Sequence, residues 1–581
     1  MKSILVELHS RFRAAIVKAF GGAFADADPV LRPSADAKFG NYQSNAAMGL
    51  AKKLSEKPRT VAEKIVGHLD YADLAQTPEI AGPGFINLRL KPEWLGERLG
   101  QVFADERLGI DRSEGTERVV VDYSGPNIAK EMHVGHLRST IIGDAIARIF
   151  EFLGHEVIRQ NHIGDWGLQM GMVTYAVEQT TEPLTDLGQL ERMYRTVNKA
   201  SEDPAVRAAM VQKTKDLQQT PKDELRAWQM VRAMTLSAAQ GLYERLDVNL
   251  KPEDVRGESF YSDEYGPMIE ELRRQGVAVE TEGAIGIFPP GFTNKEGQPR
   301  PFIIQSRDGT FQYPTFDLAA LRFRVRELKV RRVVYTHDSR QAEHFAMLFA
   351  VAKLLGLDRT NDHELRFDYA TFGTVLGEDG KPLKTRSGEN VKLAELIDEA
   401  ERRAFNLVTQ KNPELAEAER RTIGHAVGVG ALKYADLAQN RTNDYMFSFD
   451  KMLAMDGNTA PYLMYAYARI KSIERKGGIE AGAVPAGARI VPEHPAELDL
   501  GRKLAQFPDA ILDVSQHLRP NIITAYLYDL SQAFSVFYEN CPVLKAESEE
   551  KRMSRLMLCD LTARTLKLGL DLLGIRTLEQ M

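Results

Sequence analysis

The chain predicts a multidomain α/β protein, with a parallel, doubly wound sheet flanked by a small N-terminal α+β domain and an all-α C-terminal domain. Three observations carry that expectation. A short β-branched run, a glycine turn and a helix follow one another from Arg118. After "KTRSGENVKLAELIDEA" the chain turns almost wholly helical in period. Its 581 residues exceed what one core holds, and a prior of about 150 residues per domain gives three or four units.

The elements justify this in order. Residues 1–112 combine a helical start ("LVELHSRFRAAIVKAF"), a loop "DAKFGNYQSNAAMGLAKKL" entering a helix and a strand-like "GPGFINLRL". The charged connector "DERLGIDRSEGTER" then marks a composition shift and a boundary. "RVVVDYSG" has the apolar, β-branched character of a buried parallel strand ended by a turn. Leu137, Ile141, Ile142, Ala145, Ile146, Ile149 and Leu153 then share one helical face, with Gly154 placed as a C-cap. "HEVIRQNHIGDWG" supplies the next strand and glycine turn, completing a βαβ unit. Residues about 183–290 predict a mostly helical insertion, after which "AIGIFP", "PFIIQSRDG", "FQYPTFDLAAL" and "VRRVVYTHD" predict that the sheet resumes. The sheet-bearing domain spans 113–395 and the helical one 396–581, interrupted by the loop "KGGIEAGAVPAGARIVPEHP".

Composition narrows the function classes. The start "MKSILVELHSRFRAAIV" is broken by Glu7, His9 and Arg11, which predicts neither a signal peptide nor a spanning helix, hence no membrane partner and a cytoplasmic protein. Cys541 and Cys559 are the only cysteines, which excludes a disulfide framework and thiolate metal spacing; no metal site is expected. With 75 basic and 81 acidic side chains the net charge is -6, which neither announces nor excludes a nucleic-acid partner, since a local basic face suffices.

The candidate chemistry sits in "NIAKEMHVGHLRST", Asn127 to Thr140. His133 and His136 admit three interpretations: polar residues at a helix start, zinc ligands, or a nucleotide site. Zinc is disfavoured, because paired histidines on a helix favour the i, i+4 spacing with an adjacent glutamate. At a strand's carboxyl end a helix N-terminus offers free backbone N–H groups to phosphates, and Gly135 allows close approach.

The segment "SGPNIAKEMHVGHLRST" resembles the HIGH motif of class I aminoacyl-tRNA synthetases, and Pro126, Asn127, Ala129 and Lys130 make it similar to the arginyl-tRNA synthetase version. "FGNYQSNAAMGLAKKL", "GPGFINL", "DWGLQMG", "YTHDSRQAEHF", "GKPLKTRSG" and "ALKYADLAQNRTNDYMFSFDKMLAMDGNTAPYLMYAYARI" extend the resemblance to bacterial members, in order, over essentially the whole chain. It implies a class I Rossmann-like catalytic domain, an N-terminal tRNA-binding domain and an α-helical anticodon-binding domain. The implied activity is ATP-dependent formation of arginyl-adenylate and transfer of arginine to tRNA(Arg). ATP would enter as its Mg²⁺ complex, with no tightly bound cofactor and a monomeric enzyme.

By the same resemblance His133, His136 and Lys130 are catalytic, and Gly135 lies at the ATP. "GKPLKTRSG" lacks the KMSKS string, leaving Lys381, Lys384 and Arg386 as the cations of that loop and Lys130 as the substitute for phosphate neutralisation. The guanidinium carboxylates map to Asp122 and Asp317, Tyr313 lies four residues before Asp317, Asn127 takes the amino-acid end, and Asp338 and Gln341 complete the arginine site. If "YPTFDLAAL" opens a helix, Tyr313 and Asp317 share a face. Tyr462, Tyr465 and Tyr467 interleaved with Arg469 and Lys471 suit stacked bases and phosphates, and Phe39, Asn41, Tyr42 and Asn45 are expected to touch the tRNA elbow. A class I synthetase for another amino acid and a catalytically silent tRNA-binding paralogue are the alternatives; the paired aspartates weigh against the first, and the retained histidines and Gly135 against the second.

Overall fold

The computed structural model describes residues 2–34, 37–180, 183–360, 363–385, 390–478 and 487–580. Its N-terminal part opens with helix Ile4–Phe20, capped by the Ser3 hydroxyl, which accepts from the Val6 N–H. A four-stranded antiparallel sheet follows, in the order Leu31–Pro33, Tyr42–Ser44, Phe85–Leu88, Glu79–Ala81. The alternation within Tyr42–Ser44 sends Tyr42 and Ser44 into the core.

The central sheet is parallel and ordered Arg366–Tyr369, Arg332–Tyr335, Arg118–Asp122, Glu156–Gln160. Val119 and Val121 pack into one hydrophobic cluster and Val120 into another, so the central strand is buried on both faces and needs a continuous apolar run. The register aligns Asp122 with Tyr335 on one side and Gln160 on the other, and this row forms the carboxyl edge of the sheet. Helix Val134–Phe152 crosses back from the first strand to the second. It lies so close to the sheet that a Cβ at Gly143 would sit 2.2 Å from the Tyr123 Cβ.

The segments "AIGIFP" and "PFIIQSRDG" correct the expectation of a resumed sheet. Ala284–Ile287 and Phe302–Gln305 join Ala278–Thr281 in a separate antiparallel sheet, and the parallel sheet resumes only at Arg332. Short β-branched runs look alike whichever partner they pair with, because the sheet is chosen by distant chain. "YPTFDLAAL" opens helix Tyr313–Arg326 rather than extending a strand. Helices Leu187–Ala200, Pro204–Gln219 and Arg226–Arg245 fill the insertion.

Among the described residues from Leu393 onward the regular elements are helices apart from the short strand Tyr445–Met446, which pairs with Val375–Leu376. Buried polar contacts tie these helices to the part that carries the parallel sheet. The Arg138 guanidinium meets Asp436 at 3.0 Å and donates to the carbonyls of Gly373 and Asn443, and the Lys433 ammonium donates to the carbonyls of Leu246 and Gly574.

Candidate active site

The chain leaves the first strand toward Glu156–Gln160 on one side, whereas Arg332–Tyr335 lies on the other. Open parallel sheets form their ligand crevice at the carboxyl edge of such a switch point. A cavity of about 430 Å³ opens here, lined by residues that include Asn127, His133, Gly135, His136, Asp317 and Glu258.

The loop into the cavity is held under tension. Ser124, Gly125 and Ala129 adopt φ values of 71°, 56° and 64°, the left-handed region that costs about 1–2 kcal/mol at a residue with a Cβ. Neighbouring side chains fix it: Ser124 N–H donates to Ser139 Oγ, Gly125 N–H to Asn161 Oδ1 and Ala129 N–H to Thr235 Oγ1. Asn127 lies against Gly164, where a Cβ would stand 2.0 Å from its Oδ1.

The two histidines cap their own helix. His133 Nδ1 accepts from the Gly135 N–H at 3.0 Å, and His136 Nδ1 accepts from the His133 N–H at 3.1 Å. Burial, then Arg340, lowers the His133 pKa; burial, then His133, brings His136 down to about 3. Both rings are therefore neutral near pH 7. With Nδ1 occupied as an acceptor, each carries its proton on Nε2, a donor suited to phosphoryl oxygens.

Acidic groups gather in the same cavity. Asp317 Oδ2 meets His344 Nε2 at 2.6 Å, and although burial opposes it, that hydrogen bond and the nearby histidines hold its pKa below the ordinary range. The buried Glu258 carboxylate accepts from the Trp166 N–H, but burial and the charges of Asp165 and Asp317 push its pKa well up. Asp165 is itself bound by Arg232 and Ser259. A cation entering here relieves the carboxylate crowding. Sequence reasoning missed Glu258: nothing in "VRGESFY" distinguishes it from a solvated turn, and it is brought in from more than a hundred residues beyond the histidines.

The other expected residues divide. Tyr313 is 59% exposed at the mouth, one helical turn from Asp317, and Asp338 and Gln341 also line the cavity. Asp338 is engaged by Arg340 through both carboxylate oxygens. Asp122 is not in the cavity wall. It is buried and paired to Arg324 at 2.7 Å, with His337 Nε2 3.8 Å from its other oxygen on the cavity side, and despite burial the Arg324 charge keeps it ionised. Arg324 takes the Asp122 Oδ2, while Oδ1 makes no hydrogen bond among the described residues, so the carboxylate expected to meet a ligand guanidinium stands behind the cavity wall rather than in it. Lys130 points away from the cavity, its ammonium 5.0 Å from the Tyr194 ring centre. Lys381 and Lys384 are exposed and line no part of it, and Arg386 lies outside the described residues.

Among the tRNA candidates, Phe39 is 39% exposed, whereas Asn41 Oδ1 is taken by the Leu90 N–H. Tyr42 is wholly buried and its hydroxyl faces Asp509, so strand alternation corrects the expectation that it touches RNA, whereas Asn45 is half-buried with its side-chain oxygen enclosed. On helix Ala460–Gly477, Tyr465 is 46% exposed, and Tyr462 and Arg469 share its face, Arg469 stacked over Tyr538. Tyr467 turns inward to Glu579.

Residues 98–449 match the family model described as tRNA synthetases class I (R), catalytic domain, and 463–581 match the DALR anticodon binding domain. With the histidine-capped helix at the switch point, these matches define the chain as a class I aminoacyl-tRNA synthetase, an aminoacyl-tRNA ligase. Residues 6–90 match the Arginyl tRNA synthetase N terminal domain. The chain is 48% identical over 596 residues to the Arginine–tRNA ligase of Synechococcus elongatus, covering 100% of both, and 47% identical over 582 residues to that of Chromobacterium violaceum, covering 99% of both. It belongs to the arginyl-tRNA synthetase family. The arginyl-tRNA synthetase of Plasmodium falciparum superposes with a TM-score of 0.86 at 31% identity over 100% of both chains. The Thermus thermophilus enzyme shares the fold at 0.81 and 24% identity over 99% of this chain and 100% of its own.

Proposed function

We propose that the chain joins L-arginine to ATP, giving arginyl-adenylate and pyrophosphate, and passes the arginyl group to the terminal adenosine of tRNA(Arg). Glu258 and Asp317 line one cavity, with Asp165 bound to Ser259 just behind Glu258, and this gathering of carboxylates is the observation that supports arginine as the substrate. A guanidinium presents forked donors to such carboxylates, each charged hydrogen bond contributing about 1.5–3 kcal/mol. Glu258 and Asp317 take the guanidinium, Tyr313 covers it, Asn127 holds the amino-acid end, and Asp338 and Gln341 border the niche. Asp122 acts behind them through Arg324 and His337.

In the first step an arginine carboxylate oxygen bonds to the α-phosphorus while the bond to pyrophosphate breaks. Such chemistry rests on positioning and charge stabilisation. The Nε2–H groups of His133 and His136 donate to phosphoryl oxygens as charge develops, and Gly135 leaves the helix N-terminus open to them. Mg²⁺ arrives with ATP, and Lys130, Lys381, Lys384 and Arg386 are the protein cations for the phosphates. Tyr462, Tyr465 and Arg469 take the anticodon side of tRNA, and Phe39 and Asn41 its elbow. Residues 1–112, 113–395 and 396–581 divide these tasks in a cytoplasmic monomer. Among the described residues no helix is long and apolar enough to cross a membrane.

Charging of purified tRNA with each of the twenty amino acids tests the proposal: arginine alone is expected to be transferred, and transfer of another amino acid, or of none, overturns it. Family resemblance adds that arginine activation requires bound tRNA. ATP–pyrophosphate exchange that runs equally well without tRNA would remove that part.

A further inference from the structure

Lys130 lies three residues before His133, and its charge depresses both histidines, so it is within electrostatic reach of the phosphate end of the cavity. Yet the ammonium is not there. It lies in a recess of about 140 Å³ walled by Met132, Ala239 and Leu242, over the ring of Tyr194 on the insertion helix Leu187–Ala200. Among the described residues Lys130 has no ion-pair or hydrogen-bond partner, and burial lowers its pKa against the pull of Glu191. An ammonium held by an aromatic face and the longer-range pull of one carboxylate, with no direct ion pair, is retained by a weak, geometry-dependent attraction.

The same ring has a second neighbour. Tyr194 closes one side of a chamber of about 290 Å³ whose walls include Trp166 and Phe316 and whose polar groups include Gln169 and Asn198. This chamber shares Asn127, Glu258 and Tyr313 with the amino-acid cavity. Aromatic walls with amide groups suit a stacked, hydrogen-bonded base. The acceptor nucleoside must come beside the adenylate to receive the arginyl group, and this chamber is an aromatic space that adjoins the amino-acid cavity. A base stacking there competes with Lys130 for Tyr194.

We infer that Tyr194 is a positioning residue that holds Lys130 off the phosphates until the terminal base of tRNA enters the chamber beside it. The inference rests on the tRNA-charging function proposed above and supplies a physical route for tRNA dependence. Ring and ammonium form a two-position element, and each ligand biases it: the base takes the ring, and the triphosphate takes the ammonium.

The experiment uses the full chain, L-arginine, Mg-ATP and tRNA(Arg), and measures ATP–pyrophosphate exchange with and without tRNA alongside tRNA charging. Tyr194→Leu keeps apolar bulk without an aromatic face, and Tyr194→Ala removes both. Either is expected to raise exchange without tRNA about tenfold or more, by lowering the KM for ATP, and so to shrink the ratio of exchange with tRNA to exchange without it. Tyr194→Phe keeps the wild-type ratio, and adding Lys130→Ala to Tyr194→Leu abolishes the gain. A purely structural Tyr194 would lower both rates together and leave the ratio unchanged. That result, or wild-type exchange that ignores tRNA, overturns the inference. Failure of the wild type to charge tRNA with arginine is a separate outcome, which overturns the functional proposal and the inference with it.

Discussion

The segments Ser124–His136 and Phe39–Asn45 are composed alike, each with a glycine, asparagine and a residue drawn toward ligands by its chemistry, and the fold uses them in opposite ways. In the first, the chain steps off the carboxyl edge of a parallel strand. Its left-handed residues are held by Ser139, Asn161 and Thr235, and Asn127, His133 and His136 converge on one cavity. In the second, the chain enters an antiparallel strand whose alternation sends Tyr42 into the core, and only Phe39 stands out to solvent. Polar and aromatic density alone marks both; backbone exit geometry decides which becomes a site.

The contrast breaks most visibly at His136. On the proposed reaction, replacing it with alanine removes a donor to the developing phosphoryl charge, and kcat for ATP–pyrophosphate exchange should fall roughly 10²–10³-fold with tRNA affinity unchanged. Equal loss of tRNA binding would make His136 a structural residue whose ring serves only to cap its own helix.

Glu258→Gln should raise the KM for arginine roughly 10- to 150-fold, the worth of a charged hydrogen bond. It should also stabilise the arginine-free protein near neutral pH. Glu258 has a folded pKa raised above its unfolded value, so its contribution to stability is fully present below the ordinary glutamate range and is lost as pH rises above it. Thermal melts of wild type and Glu258→Gln should converge at acid pH and separate toward neutrality, with arginine closing the gap. Parallel melts at every pH would remove the crowding argument.

Gly164→Ala places a Cβ against Asn127 and should cost about tenfold in kcat/KM for arginine through displacement of that side chain, with little change in melting temperature. The smallest effects sharpen the other half of the comparison. Phe39→Ala should raise the KM for tRNA a few-fold, in keeping with one lost stacking contact of about 1 kcal/mol. Tyr42→Phe should leave that KM alone and lower stability by about 1 kcal/mol, because its hydroxyl faces Asp509 rather than solvent.

These residues also show what the chain discloses before it folds. The strand, turn and helix around His133 are legible because their periods, glycine turn and β-branched run are local. The helical C-terminal part is legible for the same reason. The pairing of Ala284–Ile287 and Phe302–Gln305 is not, since a strand carries no local mark of its sheet. Asp317 was reachable from "YPTFD", but Glu258 follows no periodic run and gains its role from three distant acids meeting. Asp122 is reached only through the family resemblance, and its pairing with Arg324, two hundred residues away, leaves no local mark in the sequence.

Arg138 and Lys433, buried where the histidine-capped helix meets the helical domain, bear on how the molecule comes apart. Parting that seam would strand charged groups without partners in an apolar interior, a penalty of about 3–5 kcal/mol for a broken buried pair. The seam therefore does not fray in stages. The catalytic sheet and helix Glu417–Leu437 melt as one cooperative unit, so a calorimeter should see them leave in a single transition, and a protease should find no cut site opened between them before the active site itself is lost.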